Sequence, residues 1–297
     1  MALAPIILFT YNRPKHTRMT LEALKNNHLS NRSELYLFSD GYRNEDDRED
    51  VMKVRELIRS TEGFGKIHIR EQSTNMGLAK NIIEGVSRMV SEYGKVIVLE
   101  DDLITSPYFL TFMNEALERY ENEEKIAHLH GFCYPLQNLP DAFLIKWTGS
   151  WGWGTWKRAW NFFNPDGEAL LSEIISRKMS REFDFNGNYP YTRMLRRQVH
   201  KKNDSWAIRW NASLFLNDLL SLNAGKSLVQ NIGFDGSGRH SGSDEIYTTP
   251  LHLAELSTEI PLISEDLTAR KALEKYYGRT NSYLAKAMRR IKRITKG

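Results

Sequence analysis

The sequence predicts an α/β protein with a mostly parallel central sheet flanked by helices, and two observations lead to this fold class. Apolar runs of strand length alternate with amphipathic stretches of helix length across residues 5–122. Such an alternation is typical of a parallel sheet covered by helices. Each of the first four apolar runs also ends in polar residues, and ligands of open α/β sheets bind beyond the carboxyl ends of the strands. The sequence therefore predicts a site at this edge.

The elements follow in order along the chain. The predicted strands of the first half are residues 5–11, 34–41, 66–72 and 95–100. Helical periodicity predicts helices at residues 15–27, 48–60, 78–93 and 108–122. The regular alternation then stops: residues 125–132 and 142–149 are predicted strands, 204–223 a helix, and 226–242 a strand that enters a glycine-rich loop.

Composition fits a globular protein, with 41% hydrophobic and 26% charged residues among 297. The single cysteine, Cys133, excludes an intramolecular disulfide framework and fits a reducing compartment. The N-terminus lacks a basic segment followed by a long apolar run, and no apolar stretch approaches the roughly 20 residues of a membrane helix. We therefore expect a cytoplasmic protein.

The C-terminus is the basic part of the chain, because residues 281–297 contain six Lys or Arg and no acid, while the formal net charge of the whole chain is +4. Apolar residues recur there at helical spacing, so one helix face is apolar and the other basic. Such a helix suits peripheral contact with an anionic membrane surface. The alternative is a last helix docked on the domain with a solvated basic face. Nucleic acid is not expected as a partner, because the rest of the chain is not strongly basic.

Three acids, Glu100, Asp101 and Asp102, directly follow the apolar run of the fourth predicted strand. Close carboxylates repel one another, and burying them without a partner is costly. Such a cluster usually needs a cation. The alternative is that Asp101 or Asp102 caps the helix that follows.

Four stretches in this order resemble the GT-A fold glycosyltransferases of family 2. They are "PIILFTYNRP", "LFSDG", "NMGLAKNI" and "VIVLEDDL". The last resembles a DxD-type metal motif in the E-D-D form also seen in N-acetylglucosaminyltransferase I. The resemblance covers residues 4–135 well and extends more weakly to residue 242. It implies a Rossmann-like, nucleotide-diphospho-sugar transferase fold and a metal-dependent, inverting glycosyltransferase that uses Mn²⁺ or Mg²⁺.

The resemblance also implies roles for individual residues. Asp102 is the expected metal ligand, Asp101 faces the ribose or a metal-bound water, and Glu100 supports the site. His240, in the glycine-rich loop, is the expected second metal ligand, with Asp235 as an alternative. The expected donor contacts are Thr10, Tyr11, Asn12 and Arg13 at the base and ribose, Asp40 at a base N–H, and Asn75, Gly77 and Lys80 near the diphosphate. An acid at position 40 suits uracil, so UDP is favoured, and guanine and thymine stay open.

An inverting transfer needs a general base, and by resemblance this is Asp204, beside Trp206. The alternatives are Asp166, Glu168 and Asp184, and Asp204 with Ser205 also reads as a helix N-cap. Trp151 is expected near the sugar, since pyranose C–H faces stack on aromatic rings. Trp156 and Trp160 are expected in the core at helical spacing.

These roles predict one catalytic domain over residues 1–242, with a nucleotide half at 1–135 and an acceptor half at 136–242, and an extension over 243–297. The acceptor could be a glycan, a lipid-linked sugar or a glycoprotein, and a homodimer stays open. One rival is a nucleotidylyltransferase, which would need a glycine-rich loop after the first strand, where "FTYNRPKHT" has no glycine. A haloacid-type phosphatase would need acids at that position. A non-catalytic sugar-binding or membrane-surface module would not need the acid cluster.

Overall fold

The computed structural model of the protein describes residues 2–235 and 249–282. Its strands are β1 (Ile6–Thr10), β2 (Glu34–Ser39), β3 (Lys66–Glu71), β4 (Lys95–Glu100), β5 (Leu103–Thr105), β6 (Ile126–His130), β7 (Ala142–Ile145), β8 (Trp153–Trp156), β9 (Leu220–Ala224) and β10 (Val229–Asn231). Its helices are α1 (Pro14–Lys25), α2 (Glu45–Arg59), α3 (Leu78–Tyr93), α4 (Phe109–Arg119), α5 (Lys157–Trp160), α6 (Gly167–Ser176), α7 (Ser180–Phe183), α8 (Tyr191–Val199), α9 (Trp206–Leu216) and α10 (Leu267–Asn281). A 3₁₀ turn covers Ser30–Arg32.

Eight strands form one sheet in the order β3-β2-β1-β4-β8-β6-β9-β7, and β5 pairs separately with β10. The pairs β3-β2, β2-β1, β1-β4 and β6-β9 are parallel. The pairs of β8 with β4 and β6, and of β7 with β9, are antiparallel. All strands of the large sheet except β7 and β8 therefore run in one direction. The predicted α/β class with a mostly parallel sheet is confirmed.

The register of the first four strands brings their carboxyl ends to the same level. Thr10 of β1 lies opposite Ser39 of β2, and Phe9 lies opposite Glu100 of β4. Ser39 in turn lies opposite Glu71 of β3. The polar residues that follow each strand therefore begin at one edge of the sheet, as the alternation of strands and helices predicts.

The core lies between this sheet and the helices on its two faces. All five residues of β1 are buried, and so is the apolar part of β4. Gly85 lets α3 pack closely on β1, because a Cβ at that position would stand 2.7 Å from the ring of Phe9. Burial on both faces explains why these strands read as continuous apolar runs instead of alternating ones.

Two sequence predictions in the second half are wrong. The helix expected at residues 204–223 ends at Leu216, and residues 220–224 form β9. Asp218 adopts a φ of 54° at the break, and β9 then pairs with β6 and β7. Trp156 and Trp160 are buried as expected, but Trp156 belongs to β8, not to a helix. A strand buried on both faces has no polar side, so its sequence lacks the alternation that would distinguish it from a buried helix.

The last described segment packs onto the second half of the chain. The backbone N–H of Asp266 donates to the carbonyl of Leu144 at 2.8 Å, and Arg270 donates to the carbonyl of Glu182 at 2.6 Å. The predicted domain boundary at residue 242 and the predicted basic helix lie outside the described residues and stay predictions. Within the described ranges, no helix combines the length and apolar character needed to cross a membrane.

Candidate active site

The ends of β1, β2 and β4 and the loop before α3 surround one cavity of about 340 Å³, here called the donor cavity. It brings together most of the predicted donor residues. The residues that line it include Thr10, Tyr11, Asn12, Arg13, Asp40, Asn75, Gly77, Glu100, Asp101 and Asp102. These residues come from four separate stretches of the chain, and the parallel sheet places them at one edge.

The three acids at the end of β4 have different surroundings. Asp101 is buried and accepts a hydrogen bond from the backbone N–H of Tyr11 at 3.2 Å. Burial, followed by the charge of Asp102, raises the pKa of Asp101. Burial and repulsion from Asp102 and Asp101 likewise raise the pKa of Glu100. The electrostatics thus favour a cation beside this cluster.

Asp102 already has a cationic neighbour, because Arg13 Nη1 lies 2.8 Å from its Oδ2. The residues that follow β10 pack against the Arg13–Asp102 pair. The N–H of Ile232 donates to the Asp102 carbonyl at 2.9 Å, and a Cβ on Gly233 would stand 2.2 Å from Asp102 Oδ2. Asp235 continues the network, with His16 Nε2 at 3.0 Å from its carboxylate.

The helix-cap alternative for the acids is wrong. Asp102 is followed by β5, and the next helix, α4, begins at Phe109 with Tyr108 as its N-cap. Neither Asp101 nor Asp102 therefore caps a helix. The cluster stands at a strand end within the donor cavity, where Asp101 accepts from Tyr11 and Asp102 pairs with Arg13.

The donor set fits a hard cation held by few protein ligands. Over residues 2–235 and 249–282, no three His, Cys, Asp or Glu side chains form a group that could hold a metal ion. Mg²⁺ and similar ions bound with nucleotides often take only one or two carboxylates and complete their shell with phosphate oxygens and water. Asp102, with Asp101 behind it, supplies that number of ligands. The predicted second ligand, His240, lies outside the described residues.

Asp40 holds the loop that precedes α3. Its Oδ1 accepts from the backbone N–H groups of Gly41 at 2.9 Å and Met76 at 2.8 Å. Its Oδ2 accepts from the Asn75 side chain and from the N–H of Gly77, both at 3.0 Å. Four donors thus occupy the buried carboxylate, which gives Asp40 a structural role that the sequence did not reveal. The predicted contact with a base N–H stays a prediction.

Asp47 is a site residue that the sequence analysis missed. Tyr11 donates its hydroxyl to Asp47 Oδ2 at 2.6 Å, and Asn12 donates to Oδ1 at 2.7 Å. Burial and this hydrogen bond raise the pKa of Tyr11 to about 12. Asp47 lies in the first turn of α2, which Asn44 caps. The pattern Asn-x-x-Asp at residues 44–47 is a helix-start signal, but the predicted helix began at residue 48 and so passed over it.

Lys80 is not among the residues of the donor cavity. It lies on the exposed side of α3, with its Nζ 3.8 Å from Glu84. Its expected approach to a diphosphate stays a prediction. Asn75 and Gly77, by contrast, line the cavity at the start of the same helix.

A comparison with protein families shows which known sequences the first half of the chain resembles. Residues 6–127 match the family described as glycosyl transferase family 2. The match spans less than half of the chain, and we call residues 6–127 the family 2 region because of this resemblance. The match covers β1 to the start of β6 and includes all four polar strand ends. The predicted resemblance, the GT-A fold and the assignment to glycosyltransferase enzymes are thereby confirmed for this region.

Solved structures that align with part of this chain include TarS and a mannosyltransferase. TarS 1–349 of S. aureus is 11% identical, with a TM-score of 0.45, over 78% of this chain and 61% of that chain. The same protein in complex with UDP-GlcNAc aligns over 43% of this chain and 33% of that chain, at 15% identity and a TM-score of 0.33. A mannosyltransferase of Pyrobaculum calidifontis in complex with GDP-Man and Mn²⁺ aligns over 43% and 34%, at 12% identity and a TM-score of 0.31. The chain thus spans less than two thirds of each, and no curated protein matches it.

Beyond the family 2 region, the predicted base Asp204 stands at the start of α9. Ser205, not Asp204, is the N-cap, since its Oγ accepts from the N–H of Ile208 at 3.3 Å. Asp204 is exposed, and its carboxylate lies 3.2 Å from Arg209. Of the predicted Asp204–Ser205 cap, Ser205 supplies the capping oxygen, and the catalytic role of Asp204 stays a prediction.

The alternative bases have other local tasks. Asp166 caps α6 by accepting from the N–H groups of Glu168 and Ala169, each at 3.0 Å. Asp184 accepts from the N–H of Thr192 at 2.6 Å in the first turn of α8. These contacts explain the two aspartates structurally.

Trp151 lies in a second cavity, of about 520 Å³, in the half of the chain that follows the family 2 region. We call it the aromatic cavity. Its wall includes Phe132, Tyr189 and Phe234 as well as Trp151, and His130 and Asn211 also line it. Phe132 and Phe234 pack edge-to-face on Trp151, with ring centroids at 4.7 and 5.6 Å.

Proposed function

We propose that the protein is a metal-dependent, inverting glycosyltransferase that moves a sugar from a nucleotide diphosphate donor, a UDP-sugar in the first place, to a glycan, lipid-linked or protein-linked acceptor. The observation that carries the proposal is the donor cavity, in which four polar strand ends of a family 2 region meet around three acids. Such a cavity suits a nucleotide at one side and a charged diphosphate at the other.

Each group of the cavity has a chemical task in this reaction. Asp102, with Asp101 behind it, would hold Mn²⁺ or Mg²⁺, which as a Lewis acid stabilises the charge that develops on the departing diphosphate. Arg13 neutralises Asp102 and adds a guanidinium that suits phosphate oxygens. Asp40 fixes Asn75 and Gly77 at the rim, so the positions of these groups are set before a donor binds.

The acceptor would approach from the second half of the chain. Asp204 is our candidate for the general base, because its exposed carboxylate adjoins Ser205, which lines the aromatic cavity. A carboxylate at a cavity rim can remove a proton from an acceptor hydroxyl as that hydroxyl attacks the anomeric carbon. Inversion of configuration follows from such a single displacement.

The experiment is thermal unfolding with UDP, GDP, dTDP and CMP, each with Mn²⁺ or with EDTA. Ligand at about 100 times its Kd adds roughly 2.7 kcal/mol of stability. We expect one nucleotide to stabilise the wild type only with metal, and Asp102→Asn to lose that effect. Asp50→Asn is the matched control, because its carboxylate lies on α2 beside Lys53, away from the cavity lining.

The outcomes separate the parts of the proposal. Stabilisation by GDP or dTDP in place of UDP would correct the donor and keep the enzyme class. Equal stabilisation in EDTA would contradict metal dependence. No shift with any nucleotide would remove the support for a nucleotide-sugar donor.

The location of the protein and its larger partners stay separate predictions. Peripheral contact with the inner face of the membrane depends on residues 283–297, which lie outside the described part of the chain. Binding to anionic vesicles, compared with a variant that ends at residue 282, would test it. A cytoplasmic location and a homodimer are predictions from the sequence alone.

A further inference from the structure

The aromatic cavity has the size and chemistry of a ligand site. Its volume of about 520 Å³ falls within the roughly 300–1,000 Å³ of small-molecule sites. One part of its wall consists of aromatic rings, and another part carries hydroxyl and amide groups from Thr148, Ser150, Ser205 and Asn211. This combination of ring faces and neutral polar groups suits a molecule with both C–H faces and hydroxyls.

His130 supplies a buried hydrogen-bond acceptor in this wall. Asn223 Nδ2 donates to the Ser221 carbonyl at 3.0 Å, so its carboxamide oxygen faces His130 Nδ1 at 3.2 Å. That oxygen can only accept, so we assign the proton of the neutral ring to Nδ1 and a lone pair to Nε2. Nε2 is buried and has no hydrogen-bond partner within the described structure. Such an unmet acceptor is costly. It is closed off by Gly149, where a Cβ would stand 2.2 Å from Nε2, so a ligand hydroxyl reaches it only if the Gly149 segment shifts.

Asn211 adds a donor to the same wall. Its Oδ1 accepts from the backbone N–H of Thr148 at 3.0 Å and from the Thr148 hydroxyl at 3.4 Å. These contacts fix the orientation of the Asn211 amide, so its Nδ2 is the hydrogen-bond donor on the cavity side. Asn211 thus presents a donor, and with a shift of the Gly149 segment His130 adds an acceptor; together they match the hydroxyl groups of a sugar.

Charge is absent from the cavity wall as far as the structure describes it. None of the described lining residues is Asp, Glu, Lys or Arg. Burial lowers the pKa of His130 to about 4, so the ring is neutral near pH 7. A carboxylate or phosphate in this cavity would lose its water without gaining an opposite charge from any of the described lining residues.

We propose that the aromatic cavity binds the ring of an uncharged pyranose sugar and disfavours sugars that carry a carboxylate or a phosphate. The inference rests on the proposed function and adds the substrate class. Residues 231–235 run from this cavity to the donor cavity: Phe234 packs on Trp151, while Gly233 adjoins Asp102. The bound ring can therefore belong to the acceptor or to the donor sugar.

The experiment is saturation-transfer NMR on the full chain with UDP and Mn²⁺. The probes are the methyl glycosides of glucose, galactose, mannose and N-acetylglucosamine, with methyl glucuronide and glucose 6-phosphate as charged counterparts. We expect at least one neutral glycoside to bind, and each charged probe to bind about tenfold more weakly or not at all. Trp151→Ala should weaken the neutral probe about tenfold.

Two further variants make the result specific to the cavity. His130→Phe keeps an aromatic ring and removes the acceptor, so it should weaken the same probe. Phe162→Ala is the matched control, because Phe162 is a partly exposed aromatic residue outside the cavity, and it should leave binding unchanged. Charged probes that bind as well as neutral ones would overturn the inference. So would the absence of any glycoside binding, or binding that Trp151→Ala does not weaken.

A second arm identifies the source of the ring and separates this inference from the proposed function. The affinities of UDP and UDP-N-acetylglucosamine are compared in wild type and Trp151→Ala. A loss confined to the sugar nucleotide assigns the ring to the donor. Lost glycoside binding with both nucleotide affinities unchanged assigns it to the acceptor. Nucleotide binding without glycoside binding overturns only the cavity inference, whereas glycoside binding without nucleotide binding overturns only the donor proposal.

Discussion

Replacing Asp40 with Asn tests whether this carboxylate is a structural part of the donor cavity. Each of its two oxygens accepts two hydrogen bonds, from Gly41 and Met76 on one side and from Asn75 and Gly77 on the other. An Asn side chain keeps only one of these oxygens. Whichever way the amide turns, its NH₂ group faces two N–H donors and two hydrogen bonds are lost.

The expected loss of stability follows from that count. Hydrogen bonds to charged groups contribute about 1.5–3 kcal/mol each, so two of them amount to at least about 3 kcal/mol. Urea unfolding of wild type and Asp40→Asn measures this difference. Asp50→Asn is the control, since its half-exposed carboxylate should matter by less than about 1 kcal/mol. Nucleotide affinity should fall as well, because Asn75 and Gly77 line the donor cavity.

A different result would refute this reasoning. If Asp40→Asn changes the free energy of unfolding as little as Asp50→Asn does, the four contacts contribute little to stability. If nucleotide preference then also shifts away from the wild-type choice, Asp40 acts as a reader of the base. That outcome would favour the role that the sequence alone suggested.

Two further predictions concern pH and the segment over Asp102. Burial lowers the pKa of His130 to about 4, whereas the pKa of an unfolded histidine is about 6.5. The neutral ring therefore contributes its full stability above about pH 6.5, and this stability is lost as the pH falls towards 4. Between about pH 7.5 and pH 5, the free energy of unfolding measured in urea should therefore fall by about 2 kcal/mol more for wild type than for His130→Phe. The same fall with pH in both proteins would contradict this prediction. Gly233→Ala would place its Cβ 2.2 Å from Asp102 Oδ2, so metal-dependent nucleotide stabilisation should weaken while the fold persists. Gly187→Ala is its control, since a Cβ there meets nothing within 4 Å and only its φ of 86° adds strain; equal nucleotide responses in the two variants would contradict the prediction.

The first half of the fold was predictable because its signals are local. Strands buried on both faces read as short apolar runs, and α3 and β4 have the predicted bounds. The second half was harder, because β9 reads as a continuation of α9 until its pairing with β6 and β7 is known. The residues around Trp153 could likewise be read as a strand or as a helix. A strand buried on both faces and a buried helix both lack a polar side, so the sequence pattern does not separate them.

The sequence by itself determined the class of the fold, the edge of the sheet where the site lies and most of the residues around the donor cavity. Those features follow from periodicity and from the rule that parallel strands end together. Only the tertiary structure decided which partner each polar group has: Asp40 with the loop before α3, Asp47 with Tyr11, Arg13 with Asp102, and His130 with Asn223. These contacts join residues far apart in the chain, and no local pattern records them, because packing alone determines which distant side chains meet.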